Sequence, residues 1–365
     1  MDIDIFDFYK NRSVLVTGHT GFKGAWMTQV LLMAGANVTG YALESPTNPS
    51  LYEQLGFNDG RYKNSCGGTL NSIIGDIRDI DSLQKAFDEA QPEIVIHMAA
   101  QPIVRQSYID PVGTYETNVI GTVNVLECCR KTVSVKSIVN VTTDKVYRNL
   151  EREEGYREDE ELCGYDPYSN SKSCSELVTD SYRNSFLKEL AIRVTTMRAG
   201  NVIGGGDFAK DRIIPDCVRA CEEEKDIIVR NPYSTRPYQH VLEPVVCYLK
   251  MAALQYTDAT ISGAYNIGPN DEDAVTTGNI TTMFCDRWNK ENPESLIKWV
   301  NVSDGGPHEA TYLKLDCSKI KETLGWRPKW NIEIAMDKVV EWYSVYVANG
   351  DIDSMTQKQI KEYLL

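Results

Sequence analysis

The stretch "SVLVTGHTGFKG", Ser13 to Gly24, is an apolar run followed by three glycines at intervals of three residues. Gly18 would allow a sharp turn, Gly21 would let the backbone approach a pyrophosphate, and Gly24 would let a helix pack closely on the preceding strand. The N-terminus of that helix would present unpaired N–H groups and a partial positive charge. The spacing is tighter at the front than G-x-G-x-x-G, but the strand–turn–helix context favours dinucleotide binding over a plain tight turn.

The second strand leaves the choice of coenzyme open. An acid at its end would accept a hydrogen bond from the adenosine ribose of NAD. The strand reads "VTGYALE", so Tyr41 and Ala42 occupy the expected positions and Glu44 comes slightly late. Since Lys23 lies nearby in the glycine loop, a 2′-phosphate would also be tolerated, and both NAD and NADP fit these residues.

Apolar runs alternate with helical patterns over the first half of the chain. The strand-like runs cover 13–18, 36–43, 70–77, 93–100, 136–144 and 190–204, and the main helical patterns cover 21–34, 80–90 and 114–132. Such alternation indicates a parallel sheet covered on both faces. We therefore predict an α/β fold, with a Rossmann-type doubly wound parallel sheet and a smaller mixed α/β C-terminal substrate lobe. Ligands of such sheets bind beyond the carboxyl ends of the strands.

The predicted domain division places the dinucleotide-binding domain at residues 1–200, and a later segment, about 236–262, returns to it. Residues 201–365 are mainly the substrate-binding lobe. Its pattern is less regular, with Pro and Gly clusters before a closing helix over 331–350.

The composition excludes several classes of protein. The formal charge of −14 repels nucleic acid and anionic membranes, so neither is an expected partner. No apolar run approaches the roughly 18 residues of a membrane helix, and the acidic start "MDIDIFDFYKN" is unlike a secretory signal. Ten cysteines without C-x-x-C spacing and four dispersed histidines predict no metal site and indicate reduced thiols in a cytoplasmic protein.

Polar residues come where a predicted strand ends, in "VTTDKVYRN", 141–149. Thr142, Thr143, Asp144 and Lys145 lie at that carboxyl end, so their side chains can point into a cleft.

A second polar cluster, "YDPYSNSK" (165–172), predicts the start of a helix. Asp166 is a plausible N-cap and Pro167 a plausible first helical residue. Tyr168 and Lys172 then share one helix face. A lysine cation beside a phenol lowers a pKa that is normally about 10, which gives a base near neutral pH. Alone, this pair could equally be a surface helix pair.

Together with "GDIRD" (75–79) and "HMAAQP" (97–102), these motifs resemble extended short-chain dehydrogenases/reductases acting on nucleotide-sugars. Longer segments resemble CDP-glucose 4,6-dehydratases, among them "VTGHTGFKGAW", "AAQPIVRQSY", "TTDKVYRN", "GYDPYSNSK", "RAGNVIGGGDF", "RNPYSTRPYQHVLEP", "HEATYLKLDCSK" and "LGWRPKW". The resemblance runs from residue 14 to about 330, which is most of the chain.

The resemblance implies NAD-dependent dehydration of CDP-D-glucose to CDP-4-keto-6-deoxy-D-glucose. The sugar is oxidised at C4, water is eliminated across C5/C6, and the hydride returns to C6. Tyr168 would take the 4-hydroxyl proton, Lys172 would hold the ribose, and Thr143 would bond the C4 oxygen. Asp144 would be the acid toward the 6-hydroxyl. Lys145 would be the C5 base, which requires a lowered pKa, or a cation that stabilises the enolate.

The resemblance also implies binding residues for both ligands. Cofactor contacts would come from Gly18, His19, Thr20, Gly21, Phe22, Lys23, Gly24, Asp76, Ile77, Ala99, Ala100, Gln101, Thr142, Tyr168 and Lys172. Substrate contacts would come from Arg105, Asn201, Arg212, Arg236, His308 and Tyr312. Arginine suits pyrophosphate oxygens. Each arginine could instead be a surface ion-pair partner, and His308 could be a packed histidine.

Three other functions use the same scaffold. A nucleotide-sugar 4-epimerase would share Tyr168 and Lys172 but would not need the Asp144–Lys145 pair. A 4,6-dehydratase of another nucleotide-sugar and a non-catalytic dinucleotide sensor are the remaining alternatives.

The resemblance implies a homodimer through helices near 102–130 and 168–187, with a tetramer allowed. It further implies a role in deoxysugar biosynthesis for O-antigen or another cell-surface polysaccharide.

Overall fold

The structure is a computed structural model that describes residues 3–59, 61–294, 296–302 and 313–365. The strands are β1 (Ser13–Thr17), β2 (Asn37–Ala42), β3 (Arg61–Lys63), β4 (Thr69–Ile74), β5 (Ile94–His97), β6 (Ser137–Val141), β7 (Arg193–Ala199), β8 (Val202–Ile203), β9 (Ile227–Val229), β10 (Thr235–Pro237), β11 (Gln239–His240), β12 (Ala264–Ile267), β13 (Ala274–Thr276) and β14 (Trp299–Asn301).

The helices are α1 (Ile5–Tyr9), α2 (Phe22–Met33), α3 (Leu51–Gln54), α4 (Ile80–Ala90), α5 (Val104–Ile109), α6 (Pro111–Tyr115), α7 (Gly121–Lys131), α8 (Pro167–Tyr182), α9 (Ile213–Glu222), α10 (Leu242–Gln255), α11 (Thr277–Glu291), α12 (Ser318–Leu324), α13 (Ile332–Val347) and α14 (Ile352–Leu364). A π-helical turn joins α6 to α7, and another follows α8. Within the described ranges, no helix has the length and apolar character needed to cross a membrane.

An eight-stranded sheet in the order β12-β7-β6-β5-β1-β2-β4-β3 forms the centre of the molecule. All neighbours are parallel except the edge strand β3, which runs antiparallel to β4. Successive residues of β1 belong to different apolar clusters, with Val14 and Val16 in one and Leu15 in the other. Because side chains alternate across a strand, the sheet is covered on both faces. The predicted doubly wound fold is therefore confirmed.

Strand order reverses at β1, which pairs with β2 on one side and with β5 on the other. Such a switch point opens a crevice at the carboxyl ends of the strands. The predicted strand over 93–100 ends early, at His97, and the backbone N–H groups of Met98 and Ala99 both donate to the side chain of Thr17.

The chain crosses between the lobes more than once. After the second lobe begins, α10 packs on β6 and β7, and β12 adds an edge strand beside β7. The C-terminal α14 packs on α2, where Gln29 donates to Asp353 over 2.8 Å. The described C-terminal residues thus brace the dinucleotide lobe as well as the smaller lobe.

Candidate active site

A cleft of about 1570 Å³ lies between the two lobes, beyond the carboxyl ends of the strands. Its floor comes from the glycine loop and the segments after β5 and β6, and its opposite wall comes from residues 199–238. Pockets for one small molecule usually measure about 300–1,000 Å³. The cleft therefore has room for two ligands.

The glycine loop forms a cradle that side chains would fill. Gly18 has φ +79°, and a Cβ there would lie 2.8 Å from the backbone N of Ala99. A Cβ on Gly24 would lie 2.0 Å from the carbonyl O of Gly18, so α2 packs directly on the turn. Gly21 is the N-cap residue of α2, and as a glycine it has no side chain to accept a hydrogen bond from the N–H groups of the first turn there. This close-packed strand–turn–helix fits the diphosphate of a dinucleotide.

His19 does not line the cleft, which corrects the prediction for its side chain. The ring is fully buried, its Nε2 lies 2.7 Å from Ser72 Oγ, and burial lowers its pKa to about 4. A Cβ on Gly40 would lie only 2.3 Å from the ring. His19 therefore packs beneath the loop against β2, and Gly40 makes the space for it.

Lys23 lines the cleft near the residues after β6 and the start of α8. Burial, with the charges of Arg212 and Lys172, lowers its pKa to about 8, and Asp144 opposes this shift. The expectation that Lys23 would tolerate a 2′-phosphate stays a prediction.

The residues after β6 converge on one point in the cleft. Thr143 Oγ1 donates to Asp144 Oδ1 over 2.9 Å, and Lys145 Nζ lies 3.6 Å from the same oxygen. The side chain of Asp144 is 1% exposed. Its other oxygen, Oδ2, is buried and has no hydrogen-bond partner within the described part of the chain. A buried oxygen of this kind is suited to a hydrogen bond with a ligand.

Tyr168 and Lys172 begin α8 as predicted, since Asp166 caps the helix over 3.0 Å to Ser169 N and Pro167 is its first residue. Lys172 Nζ donates to the carbonyl O of Val141 over 3.2 Å. Both side chains line the cleft beside the residues after β6.

The pKa of the Tyr168 phenol is shifted in the opposite direction from the one that the sequence suggested. Burial raises the pKa of Tyr168, and Lys145, the Thr143 hydrogen bond and Arg212 only partly offset this. Burial also lowers the pKa of Lys172 to about 8, opposed by the charge of Glu176. The sequence suggested a lowered phenol pKa from the Tyr168–Lys172 spacing, but desolvation dominates and raises it.

Most of the other predicted cofactor residues border the cleft, namely Gly18, Thr20, Gly21, Phe22, Gly24, Asp76, Ile77, Ala99, Ala100 and Thr142. The carboxylate of Asp76 is held by Arg78 at 2.6 Å, which lowers its pKa. Gln101 does not line the cleft. Its amide donates to Thr114 over 2.9 Å and its side-chain oxygen accepts from Ile103 N over 2.6 Å, so it braces the loop.

Four of the predicted substrate residues line the cleft, namely Arg105, Asn201, Arg212 and Arg236. Asp207 holds the Arg212 guanidinium at 2.9 Å. The side-chain oxygen of Asn201 is buried and lacks a partner within the described residues. His308 and Tyr312 lie outside the described residues.

Sequence reasoning missed the outer wall of the cleft, formed by Ile228, Arg230, Tyr233, Thr277 and Asn301. Ile228 and Tyr233 are exposed there. These residues come from short strands, turns and the start of α11. Arg230 and Tyr233 lie in the segment "RNPYSTRPYQHVLEP", but sequence reasoning assigned a role there only to Arg236.

Comparison with known proteins identifies the family. The profile of the family described as GDP-mannose 4,6 dehydratase matches residues 15–339. The chain is also 45% identical over 364 residues to a CDP-glucose 4,6-dehydratase of Salmonella typhimurium, and the match covers 98% of each chain. The chain belongs to this nucleotide-sugar dehydratase family. The resemblance predicted from the motifs is confirmed.

Solved structures share the fold of this dehydratase family member. A dTDP-glucose 4,6-dehydratase from Bacillus anthracis in complex with NAD gives a TM-score of 0.73 at 22% identity, covering 91% of this chain and 96% of that one. A UDP-glucuronic acid 4-epimerase from Bacillus cereus in complex with UDP-glucuronic acid and NAD gives 0.76 at 22% identity, covering 91% and 99%.

Proposed function

We propose that the protein is a CDP-glucose 4,6-dehydratase that uses NAD and yields CDP-4-keto-6-deoxy-glucose. The 45% identical relative carries that activity in its name. The observation that carries the proposal is the meeting of Thr143, Asp144, Lys145, Tyr168 and Lys172 beside a glycine cradle in one cleft. The product would enter deoxysugar biosynthesis. The deoxysugar would then become part of the predicted cell-surface polysaccharide.

Tyr168 and Thr143 serve the oxidation at C4. The Tyr168 phenolate takes the proton of the 4-hydroxyl, and the Thr143 hydroxyl bonds the same oxygen. Since burial raises the pKa of Tyr168, its phenolate depends on the Arg212 cation in the same cleft. NAD, when bound, accepts the C4 hydride and later returns it to C6.

Asp144 and Lys145 serve the elimination. The 4-ketone acidifies the C5 proton, and the Lys145 amine takes that proton while the C5–C6 double bond forms. The C6–O bond breaks, and Asp144 gives a proton to the departing hydroxyl, which leaves as water. The unpartnered Oδ2 of Asp144 supports its role as the acid, and both side chains line the same cleft. Lys145 then returns its proton to C5. A 4-epimerase would have no use for this pair.

The cleft supports NAD over NADP. Glu44 follows β2 and lines the cleft, where its carboxylate suits a ribose hydroxyl and repels a 2′-phosphate. The two cations that could oppose this are engaged elsewhere: Lys23 faces Lys172 at the catalytic end, and Arg78 is held by Asp76.

Basic side chains on the cleft walls support binding of the substrate diphosphate. Arg105, Arg212 and Arg236 line the cleft in a protein whose net charge is −14. Their planar guanidinium groups suit phosphate oxygens. Asn201, with its unpartnered side-chain oxygen, is the candidate contact to the sugar.

We further propose that two copies associate through the surface around α5, α6 and α8. These helices pack on one another and carry exposed apolar side chains, namely Tyr108, Ile109, Val112, Ile120, Leu177 and Phe186. Apolar side chains grouped on neighbouring helices favour burial against a second copy. Changing both Ile109 and Val112 to Glu is expected to convert dimers or tetramers to monomers in light scattering; an unchanged mass would contradict this interface.

The function is tested by incubating the purified protein with CDP-, UDP-, dTDP- and GDP-glucose, with NAD, NADP or no addition. We expect loss of water from CDP-glucose, seen by mass spectrometry and by the alkaline chromophore of the 4-keto-6-deoxy sugar. The Tyr168→Phe variant is the matched control. A 4-epimer of unchanged mass would make the protein an epimerase, and turnover confined to UDP- or dTDP-glucose would overturn the CDP assignment.

The role of Lys145 has its own test. Lys145→Arg keeps the positive charge, but arginine cannot accept a proton at the pH of the assay. We expect this variant to lose exchange of the C5 hydrogen with solvent deuterium. Retained exchange would assign Lys145 to electrostatic stabilisation instead.

A further inference from the structure

The face of α8 that packs on the sheet is polar along its length. Ser171, Ser175, Glu176 and Thr179 are all buried there. Glu176 forms an ion pair with Arg198 of β7 at 2.9 Å, and both side chains are only 3% exposed. Taking two charges out of water usually costs as much as their attraction returns, so stability is a weak reason for such a pair. Glu176 does not line the cleft and has no part in the reaction described above.

Each oxygen of the Glu176 carboxylate is held by a neighbouring strand. One oxygen accepts the hydroxyl of Thr142, directly after β6. The other accepts Thr196 Oγ1 over 2.6 Å and Arg198 over 2.9 Å, both from β7. Arg198 in turn donates to Tyr147 OH over 2.7 Å. The carboxylate is thus fixed in place from two strands, and it ties α8 to the segment that carries Thr143 and Asp144.

Glu176 lies one helical turn after Lys172, on the same side of α8. The Lys172 ammonium bonds the carbonyl of Val141, which ends the same strand that Thr142 follows. Burial favours the neutral amine of Lys172, and the charge of Glu176 opposes this. The other charged or titratable groups around Lys172 are Lys23 of α2, His97 of β5, Asp144 and Lys145 after β6, Tyr168 of α8, Arg198 of β7 and Arg212 of the second lobe.

We propose that Glu176 is a positioning residue that, from beneath the cleft, holds Lys172 in its ammonium form and holds the segment after β6 against α8. The proposal rests on the proposed function in one respect, the need for a charged Lys172 beside the coenzyme ribose and the phenol. Among the described charges around Lys172, Glu176 and Asp144 are the carboxylates, and Asp144 already faces Lys145.

The decisive experiment measures the titration of Lys172 itself, by competitive acetylation with trace acetic anhydride across pH and mass spectrometry of the peptide. An opposite charge within about 4–6 Å shifts a pKa by about 1–3 units. In Glu176→Gln we therefore expect the apparent pKa of Lys172 to fall by about one unit or more. Glu176→Asp keeps the charge and is expected to restore the wild-type titration. Asp180→Asn is the matched control, because Asp180 lies on the same helix with its side chain 54% exposed.

The pH profile of turnover gives a second readout. The alkaline limb of kcat is expected to move to lower pH in Glu176→Gln and to stay in place in Asp180→Asn. Peptide labelling separates the proposal for Glu176 from the proposed dehydratase function. It reports the apparent pKa of Lys172 even if the protein acts on a different nucleotide-sugar.

Glu176→Gln leaves Arg198 buried without its partner and can fail to fold. The double variant Glu176→Gln/Arg198→Met removes that stranded charge and is expected to show a smaller fall, because loss of the Arg198 cation favours the ammonium of Lys172. An unchanged Lys172 titration in either folded variant would overturn the proposal. So would an apparent pKa of Lys172 below about 7 in the wild type, because the amine would then be mostly neutral despite Glu176.

Discussion

The geometry of the glycine loop predicts that one glycine substitution mainly affects folding and another mainly affects cofactor binding. In Gly24→Ala the new methyl would lie 2.0 Å from Gly18 O and 2.7 Å from His19 Cα, both backbone atoms of the turn. Neither atom can move without shifting α2 from β1, and overpacking of this kind costs about 1–3 kcal/mol. In Gly21→Ala the nearest atom, Gly18 O, is 3.4 Å away, and φ −79° suits alanine. We expect that change to cost less than about 1 kcal/mol, mainly from a poorer helix cap.

The two substitutions should rank differently in their effect on NAD binding than in their effect on stability. The methyl of Gly21→Ala would stand where backbone N–H groups approach the diphosphate, so the Kd for NAD is expected to rise about tenfold or more, about 1.4 kcal/mol. Denaturant unfolding without ligand and titration calorimetry with NAD, run on both variants and the wild type, give the two quantities. The reasoning fails if Gly24→Ala unfolds like the wild type, or if Gly21→Ala is folded and binds NAD with unchanged affinity.

Three further changes test the site and its support. Tyr168→Phe is expected to lower kcat by about 10²–10⁴-fold with an unchanged melting temperature, since we propose the phenol as the base for the 4-hydroxyl; a smaller loss would assign the base elsewhere. Asp144→Asn is expected to slow water release by about 10²-fold or more while the C5 hydrogen still exchanges with solvent, and equal loss of both would contradict the division of roles. Glu243 is buried with Trp330 N at 2.7 Å and Tyr363 OH at 2.6 Å, and burial raises its pKa to about 7. Its native form therefore binds more protons than the unfolded chain between about pH 4.5 and 7, and its contribution to stability falls as pH rises through that window. Glu243→Gln removes this dependence, so relative to the wild type it should gain about 1–3 kcal/mol in urea unfolding between pH 5 and pH 8; a constant difference would refute the assignment.

Much of the site was readable because its signals are local. The cap at Asp166 and the proline at 167 fix the start of α8, and with it the shared face of Tyr168 and Lys172. The glycine spacing and the apolar run before it predict the turn of β1 into α2. Thr143, Asp144 and Lys145 follow a strand, which is enough to direct them to the carboxyl edge of the sheet.

The environment of these residues could not be read in the same way. His19 and Lys23 look alike in the sequence as polar residues among glycines, but one packs under β2 against Gly40 and the other enters the cleft. The raised pKa of Tyr168 follows from desolvation by burial in the folded chain. The Glu176–Arg198 pair joins residues 22 positions apart, and no sequence pattern in either segment indicates that the two side chains pair.

The sequence by itself therefore determined the alternation of strands and helices and the glycine turn, and it predicted which side chains react. Strand alternation, helix capping and i, i+4 spacing depend on neighbours within about one helical turn. Only the tertiary structure decided which side chains are desolvated, which charges face one another and how the second lobe closes the cleft. Burial and electrostatic coupling sum over contacts between segments far apart in the chain, and no local pattern encodes that sum.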